Sequence, residues 1–241
     1  MTSNTHILFA ASECREFFKS GGLADVVSAL PNALIKEGVK VSTILPYYSN
    51  MEENLKKRGQ RIAEYTVRFG GHDVYCGLIR MDLDGKVFYF IDNKEHFDRD
   101  ILYGYGGAEE SFTLFSFVTF TALNYIEKVD IIHCHDWQSA SIPLLLNAYY
   151  KQYDLYKDIK TVFTIHNLRF QGKFSLEAAT EMMGLEKGGR YYNELEYEGS
   201  INLLKGAIYN ADYVTTVSET YAEEIKTAYK HLAGKYHPDK V

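Results

Sequence analysis

Several short apolar runs in this chain are each followed by a helical pattern, and that succession restricts it to parallel β-α-β units. Strands are expected near His6–Ala11, Lys40–Leu45, Ile62–Phe69, Val74–Met81, Lys86–Ile91, Asp130–Cys134, Lys160–Ile165 and Tyr213–Val217. Helices are expected near Ala24–Lys36, Glu109–Ile126, Ala140–Tyr150, Leu176–Met182, Ile201–Tyr209 and Glu219–Tyr229. The segment Arg61–Ile91 departs from the pattern. It alternates, and Asp84-Gly85 sits between two of its strands as a hairpin turn. The expected architecture is α/β: a doubly wound, mostly parallel sheet with an inserted antiparallel hairpin. No repeat, low-complexity stretch or Pro/Gly/Ser linker interrupts it, so residues 1–241 are read as one domain.

Ligands of such sheets bind beyond the carboxyl ends of the strands. The residues that follow the predicted strands are the polar ones: Glu13 and Lys19, then Asp136, then His166 and Asn167, then Ser218. The first of these connections is Lys19-Ser20-Gly21-Gly22-Leu23-Ala24-Asp25. Paired glycines let a ligand approach the backbone, the helix start beyond presents free N–H groups that suit a phosphate, and Lys19 adds a positive charge. The plainer alternative is a tight strand-to-helix connection. The convergence of four strand ends on polar residues favours the ligand.

Other motifs carry less. His133 and His135 share one face of a strand, with Asp136 on the other, and this run cannot supply four zinc ligands by itself. No metal site is expected; one histidine is read as packed and Asp136 as hydrogen-bonding in the crevice. Asp82-Leu83-Asp84 resembles an Asp-x-Asp metal clamp, but it runs into Gly85 and reads as a turn. Gly104-Tyr105-Gly106-Gly107 follows no clear strand, which argues against a dinucleotide fingerprint. There is no Walker-type loop and no Gly-x-Ser-x-Gly elbow. His166-Asn167 either contacts a ligand or braces its loop. Lys205, on a helix opened by Asn202, reads as part of a solvated face.

A net charge of −6 argues against a general nucleic-acid or anionic-membrane binder. The three cysteines, Cys14, Cys76 and Cys134, are scattered and odd in number, which suggests a reducing compartment. The first residues lack the basic start of a signal peptide, and the apolar run after them is too short to span a membrane, so a cytoplasmic location is expected.

Taken together, a series of motifs resembles the bacterial glycogen and plant starch synthases. It comprises Ala11-Ser12-Glu13, Lys19-Ser20-Gly21-Gly22-Leu23-Ala24-Asp25-Val26, Leu30-Pro31, His133-Cys134-His135-Asp136-Trp137, Phe163-Thr164-Ile165-His166-Asn167-Leu168, Gln171-Gly172, Asn202 with Lys205, and Thr216-Val217-Ser218 with Thr220-Tyr221-Ala222. The matching motifs run in order and stop near Ile225. The resemblance implies the GT-B architecture, two Rossmann-like domains facing across a cleft, of which residues 1–241 would be the N-terminal, acceptor-side one. Members are roughly twice as long, in line with a second domain of ordinary size. That C-terminal, nucleotide-binding domain has no counterpart in this sequence.

The implied activity is retaining transfer of glucose from ADP-glucose to the non-reducing end of an α-1,4-glucan, with this domain inactive or nearly so alone. ADP-glucose is a substrate; no cofactor or metal is implied. Lys19, Gly21 and Gly22 would meet the distal phosphate and sugar of the donor. His166 would lie beside the transferred glucose, Asn167 would fix its loop, and Asp136 would hydrogen-bond in the sugar cleft. Glu13, Tyr103, Trp137 and Asn202 would face the glucan. The family's arginine at the start of the long helix is replaced within Ala108-Glu109-Glu110-Ser111-Phe112, so no role rests on it. Two alternatives stay open: a non-catalytic glucan-binding domain, and a GT-B glucosyltransferase with another nucleotide-sugar donor.

Overall fold

The computed structural model describes residues 5–99, 102–103, 106–223 and 226. Eight strands form the central sheet: β1 (His6–Ala10), β2 (Lys40–Pro46), β3 (Gln60–Phe69), β4 (His72–Leu83), β5 (Lys86–Asp92), β6 (Ile131–His135), β7 (Lys160–Ile165) and, last in the chain, β11 (Tyr213–Thr216). Their order is β11-β7-β6-β1-β2-β5-β4-β3. The first six run parallel, while β4 is antiparallel to both of its neighbours. All eight strands anticipated from the sequence are present.

The antiparallel part is a meander rather than one hairpin. Asp84 and Gly85 turn β4 into β5 with φ of 51° and 76°, and Gly70 and Gly71 turn β3 into β4 with φ of 57° and 82°. Both pairs have the left-handed backbone that two-residue hairpins need. The Asp84-Gly85 turn also settles the Asp-x-Asp motif: Asp82 is paired with Arg80 at 3.0 Å, and Asp84 is a turn residue. β5 then pairs with β2 in parallel, so the insertion lengthens one edge of the sheet.

Helix α1 (Gly22–Lys36) packs on β2. The short helices α2 (Glu53–Lys56) and α3 (Lys94–Phe97) have no periodic signal in the sequence. Helix α4 (Ala108–Ala122) is buried almost all round, most of its serines and threonines included, and lies in the core against β3 and β5. Helix α5 (Ser141–Leu145) continues as a π-helical turn over Leu146–Tyr150. The remaining helices are α6 (Leu176–Glu181), α7 (Arg190–Leu195) and α8 (Leu203–Asn210), the last packed on α5. A small antiparallel sheet of β8 (Lys173–Phe174), β9 (Glu196–Tyr197) and β10 (Ser200–Asn202) was not anticipated, because two- and three-residue strands carry no alternation to read. The helix expected over Glu219–Tyr229 begins after Ser218, whose Oγ accepts the N–H of Tyr221 at 3.1 Å; most of its remainder lies outside the described residues.

Lys205 does not lie on a solvated face. It is 2% exposed, and its Nζ donates to the carbonyl oxygens of Asn193 at 3.0 Å and Glu196 at 2.6 Å. A buried ammonium is tolerated when its donors are satisfied, and here it ties α8 to the end of α7. All three cysteines are free and buried. Among the described residues no helix is long and apolar enough to cross a membrane.

Candidate active-site cleft

From β1 the chain passes to β2 on one side, and it later returns to β6 on the other. The switch point of the sheet therefore lies between β1 and β6. A cleft of about 680 Å³ opens there, bordered by Glu13, the glycine turn, Tyr103, Asp136, Trp137, His166 and Val217 among others. Apart from Tyr103, which lies between α3 and α4, these residues follow β1, β6, β7 and β11, four neighbouring strands, as the strand-end rule requires.

The glycine turn is held from inside by Glu13. Its carboxylate accepts the N–H groups of Ser20 at 2.5 Å and Gly21 at 3.3 Å, the Ser20 hydroxyl at 3.1 Å and the Tyr103 hydroxyl at 3.1 Å. Glu13 and Tyr103 border the cleft, yet this network spends both Glu13 oxygens on shaping the loop. Gly21 has φ of −154°, which any residue adopts, and a Cβ on Gly21 or Gly22 would meet nothing within 4 Å. Neither backbone strain nor internal packing requires these glycines, and the space beside them is open to the cleft.

Lys19 stands one residue before the cleft wall. Its Nζ lies 2.7 Å from Asp25, and both side chains are nearly half exposed. Such a pair contributes about 0–1 kcal/mol, so the ammonium can be drawn to another anion at little cost.

Asp136 follows β6 with φ of 56° and ψ of −176°, a conformation rare outside glycine. The bend sends its carboxylate across to β7, where Oδ1 accepts the N–H of His166 at 2.7 Å and of Asn167 at 3.2 Å. Burial pushes its pKa up to about 6, against the downward pull of those two N–H groups. Asn167 braces its own loop as well: its Oδ1 accepts the N–H of Arg169 at 3.0 Å. His166 borders the cleft, and burial lowers its pKa to about 4, so its ring is neutral at pH 7.

His133 and His135 do share a face of β6, and both are packed. Their rings stack on each other at 4.2 Å and against Phe9. The His133 Nε2 is 2.6 Å from the Thr164 hydroxyl, and the His135 Nδ1 is 3.0 Å from the His166 Nε2. Among the described residues no three His, Cys, Asp or Glu side chains are grouped to hold a metal ion.

Trp137 packs edge-on against Phe112 at 5.2 Å and borders the cleft. Gly172 makes room for it: with φ of 62°, its Cβ would come within 2.9 Å of the indole. Asn202 is placed differently from expectation. It is 2% exposed and does not border the cleft. Its Oδ1 caps α8 by accepting the N–H of Lys205 at 3.0 Å, and its Nδ2 donates to the Gln171 side chain at 2.8 Å. An asparagine immediately before a helical pattern is an N-cap signal, and that signal was available in the sequence. Gln138 and Phe170 also border the cleft, each within a motif whose charged or imidazole neighbours carry the stronger chemical signal in the sequence. Of the Gly104-Tyr105-Gly106-Gly107 run, Gly104 and Tyr105 lie outside the described residues.

Comparison with known proteins agrees with this geometry. The glycogen synthase of Bacillus cytotoxicus is 46% identical over 224 residues, which is 92% of this chain and 46% of the relative. The glycogen synthase of Bacillus subtilis is 45% identical over the same coverage. The chain thus spans about half the length of the curated relatives it matches. Among solved structures, the catalytic domain of starch synthase IV from Arabidopsis thaliana, bound to ADP and acarbose, superposes with a TM-score of 0.84 at 30% identity, over 99% of this chain and 50% of that one. Sucrose-phosphate synthase from Thermosynechococcus elongatus, 14% identical with a TM-score of 0.50, shares the fold alone. The sheet described above is accordingly one half of a GT-B architecture. A family model described as the starch synthase catalytic domain matches residues 6–237, beyond Ile225 where the recognisable motifs stop. By that match and those identities, the chain belongs to the starch synthase catalytic domain family, whose relatives include the bacterial glycogen synthases.

Proposed function

We propose that this chain is the N-terminal, acceptor-side domain of an ADP-glucose-dependent α-1,4-glucan synthase acting in the cytoplasm. The observation that carries this reading is the glycine turn. Two glycines with no internal need for a missing side chain border an open cleft at the switch point of the sheet. The structural relative solved with ADP and acarbose bound supports a nucleotide and a glucan-like ligand for a catalytic domain of this family.

In the proposed reaction the 4-hydroxyl at the non-reducing end of the glucan attacks the anomeric carbon of ADP-glucose. The bond from that carbon to the diphosphate oxygen breaks on the same face, the new glycosidic bond forms with retention, and the hydroxyl proton passes to the departing diphosphate. Negative charge grows on the diphosphate. Lys19, released from Asp25, and the N–H groups at the start of α1 would stabilise that charge more in the transition state than in the ground state. His166 would donate to the transferred glucose. Asp136 would act mainly by holding the His166-Asn167 loop through Oδ1. Trp137 and Tyr103 would provide the aromatic surface for the glucan. The reading needs no metal or cofactor, because the chain's own cation and N–H groups meet the phosphate.

Titration of the isotope-labelled chain with maltopentaose and, separately, with ADP tests which side of the site it carries. Maltopentaose is expected to shift the signals of Trp137 and Tyr103 at high micromolar to millimolar concentration, about −4 to −6 kcal/mol, with ADP much weaker. Tight ADP binding with no response to the glucan would reverse the assignment.

A further inference from the structure

We infer that His135 is a positioning residue: it donates the Nδ1 proton to His166 and so fixes the tautomer that His166 presents to the cleft. His135 is fully buried on β6, with Phe9 and His133 stacked against its ring. Its Nδ1 is 3.0 Å from the His166 Nε2, and its own Nε2 is buried with no hydrogen-bond partner.

One proton fits between the two facing nitrogens, which leaves two arrangements. In the first, His135 Nδ1–H donates to His166 Nε2; the buried Nε2 of His135 is then a bare lone pair, and His166 carries its proton on Nδ1. In the second, His166 Nε2–H donates to His135 Nδ1; the only proton of His135 then sits on its buried Nε2 with no acceptor. A buried N–H without an acceptor is rarer and costlier than an unused lone pair, so the first arrangement is selected. Burial keeps both rings neutral, which removes the doubly protonated case.

The rings are held in register from their backbones. Asp136 binds the N–H of His166, and the Ser139 hydroxyl accepts the N–H of His135 at 2.7 Å. The His166 Nδ1 makes no hydrogen bond to the described residues, and the residue borders the cleft. It is therefore a neutral N–H donor suited to a hydroxyl or phosphoryl oxygen, whereas the other tautomer would turn a lone pair toward a phosphoryl oxygen and repel it. The identity of that oxygen as part of a sugar phosphate rests on the function proposed above; the tautomer does not.

Long-range proton–nitrogen NMR of the imidazoles in the 241-residue chain reads the tautomer directly. At pH 7 both His135 and His166 are expected to carry the proton on Nδ1. In His135→Phe, which keeps an aromatic ring in the stack, His166 is expected to move toward the Nε2–H form that free histidine favours in water. In His135→Asn the amide N–H replaces the lost donor, and the Nδ1–H form is expected to return. A proton on Nε2 of His166 in the unsubstituted chain would overturn the inference whether or not the variants fold. An unchanged tautomer in a folded His135→Phe would do the same. Absence of ligand binding alongside the expected tautomers would count against the proposed function only.

Discussion

The Asp136 carboxylate reaches across from the end of one strand and accepts the backbone N–H of His166 at 2.7 Å on the next. That bond ties the end of β6 to the end of β7 at the cleft, and Asp136 holds a left-handed φ of 56° as it forms it. The two demands separate in substitution. Asp136→Ala keeps the backbone strain and leaves two N–H groups unpaired, an expected loss of about 2–4 kcal/mol. Asp136→Gly loses the same bonds but relieves about 1–3 kcal/mol of strain. Urea denaturation should therefore find the glycine variant more stable than the alanine one, the reverse of the usual order.

Glycines of the site should divide into two kinds. Gly172→Ala places a Cβ 2.9 Å from the Trp137 indole at a φ of 62°, so a loss of about 2–4 kcal/mol with a displaced tryptophan is expected. Gly22→Ala meets nothing within 4 Å in the first turn of α1, so its stability should change by less than about 1 kcal/mol. Thermal melts with tryptophan fluorescence distinguish them. Equal destabilisation would mean that the glycine turn is a packing feature.

Acid stability follows from opposed shifts. Burial lowers His133 and His166 from 6.5 to about 4, so the unfolded chain binds more protons between pH 4 and 6.5 and stability rises with pH there. Asp136, raised from 3.8 to about 6, acts the opposite way: its contribution is present at low pH and is lost as pH rises from about 4 to 6. Each shift corresponds to about 3 kcal/mol, and two histidines outweigh one carboxyl. Net stability is expected to fall as pH drops from 6.5 to 4, and more steeply in Asp136→Asn. Denaturant midpoints across that range check this; a flat profile would contradict the buried neutral histidines.

The main sheet was legible because its central parallel strands are short apolar runs and its antiparallel edge alternates, and the Asp84-Gly85 turn fixed one hairpin by chemistry alone. The strand-end rule also brought Glu13, Asp136, His166 and Asn167 to one cleft. What escaped depends on contacts distant in sequence. Nothing local to Lys205 shows that the carbonyls of Asn193 and Glu196 will meet its ammonium. Likewise, Glu13 reads as a free acid until Ser20, Gly21 and Tyr103 close around it. Only one of the two β6 histidines is read as packed from the sequence; that both pack, stacked on each other and against Phe9, depends on ring faces that a sequence does not show.

On its own, the chain is expected to transfer no glucose from ADP-glucose to glycogen, since it spans 46% of its Bacillus relatives and the rest of the proposed donor site would lie in the other half. Incorporation of labelled glucose by the purified chain measures this directly. Robust incorporation would show that one domain suffices.

The most direct measurement of the central claim is the response of the glycine turn to a sugar phosphate. Glucose 1-phosphate carries the sugar and the attached phosphate of the proposed donor without its base. Added at up to tens of millimolar, well above the Kd of about 1 mM that binding of about −4 kcal/mol implies, it should shift the amide signals of Gly21, Gly22 and Leu23 and the His166 ring together. Glucose alone should leave the turn unmoved, and Gly22→Ala should abolish the response in a folded chain. Binding that perturbs other residues while the turn and His166 stay silent would contradict the account.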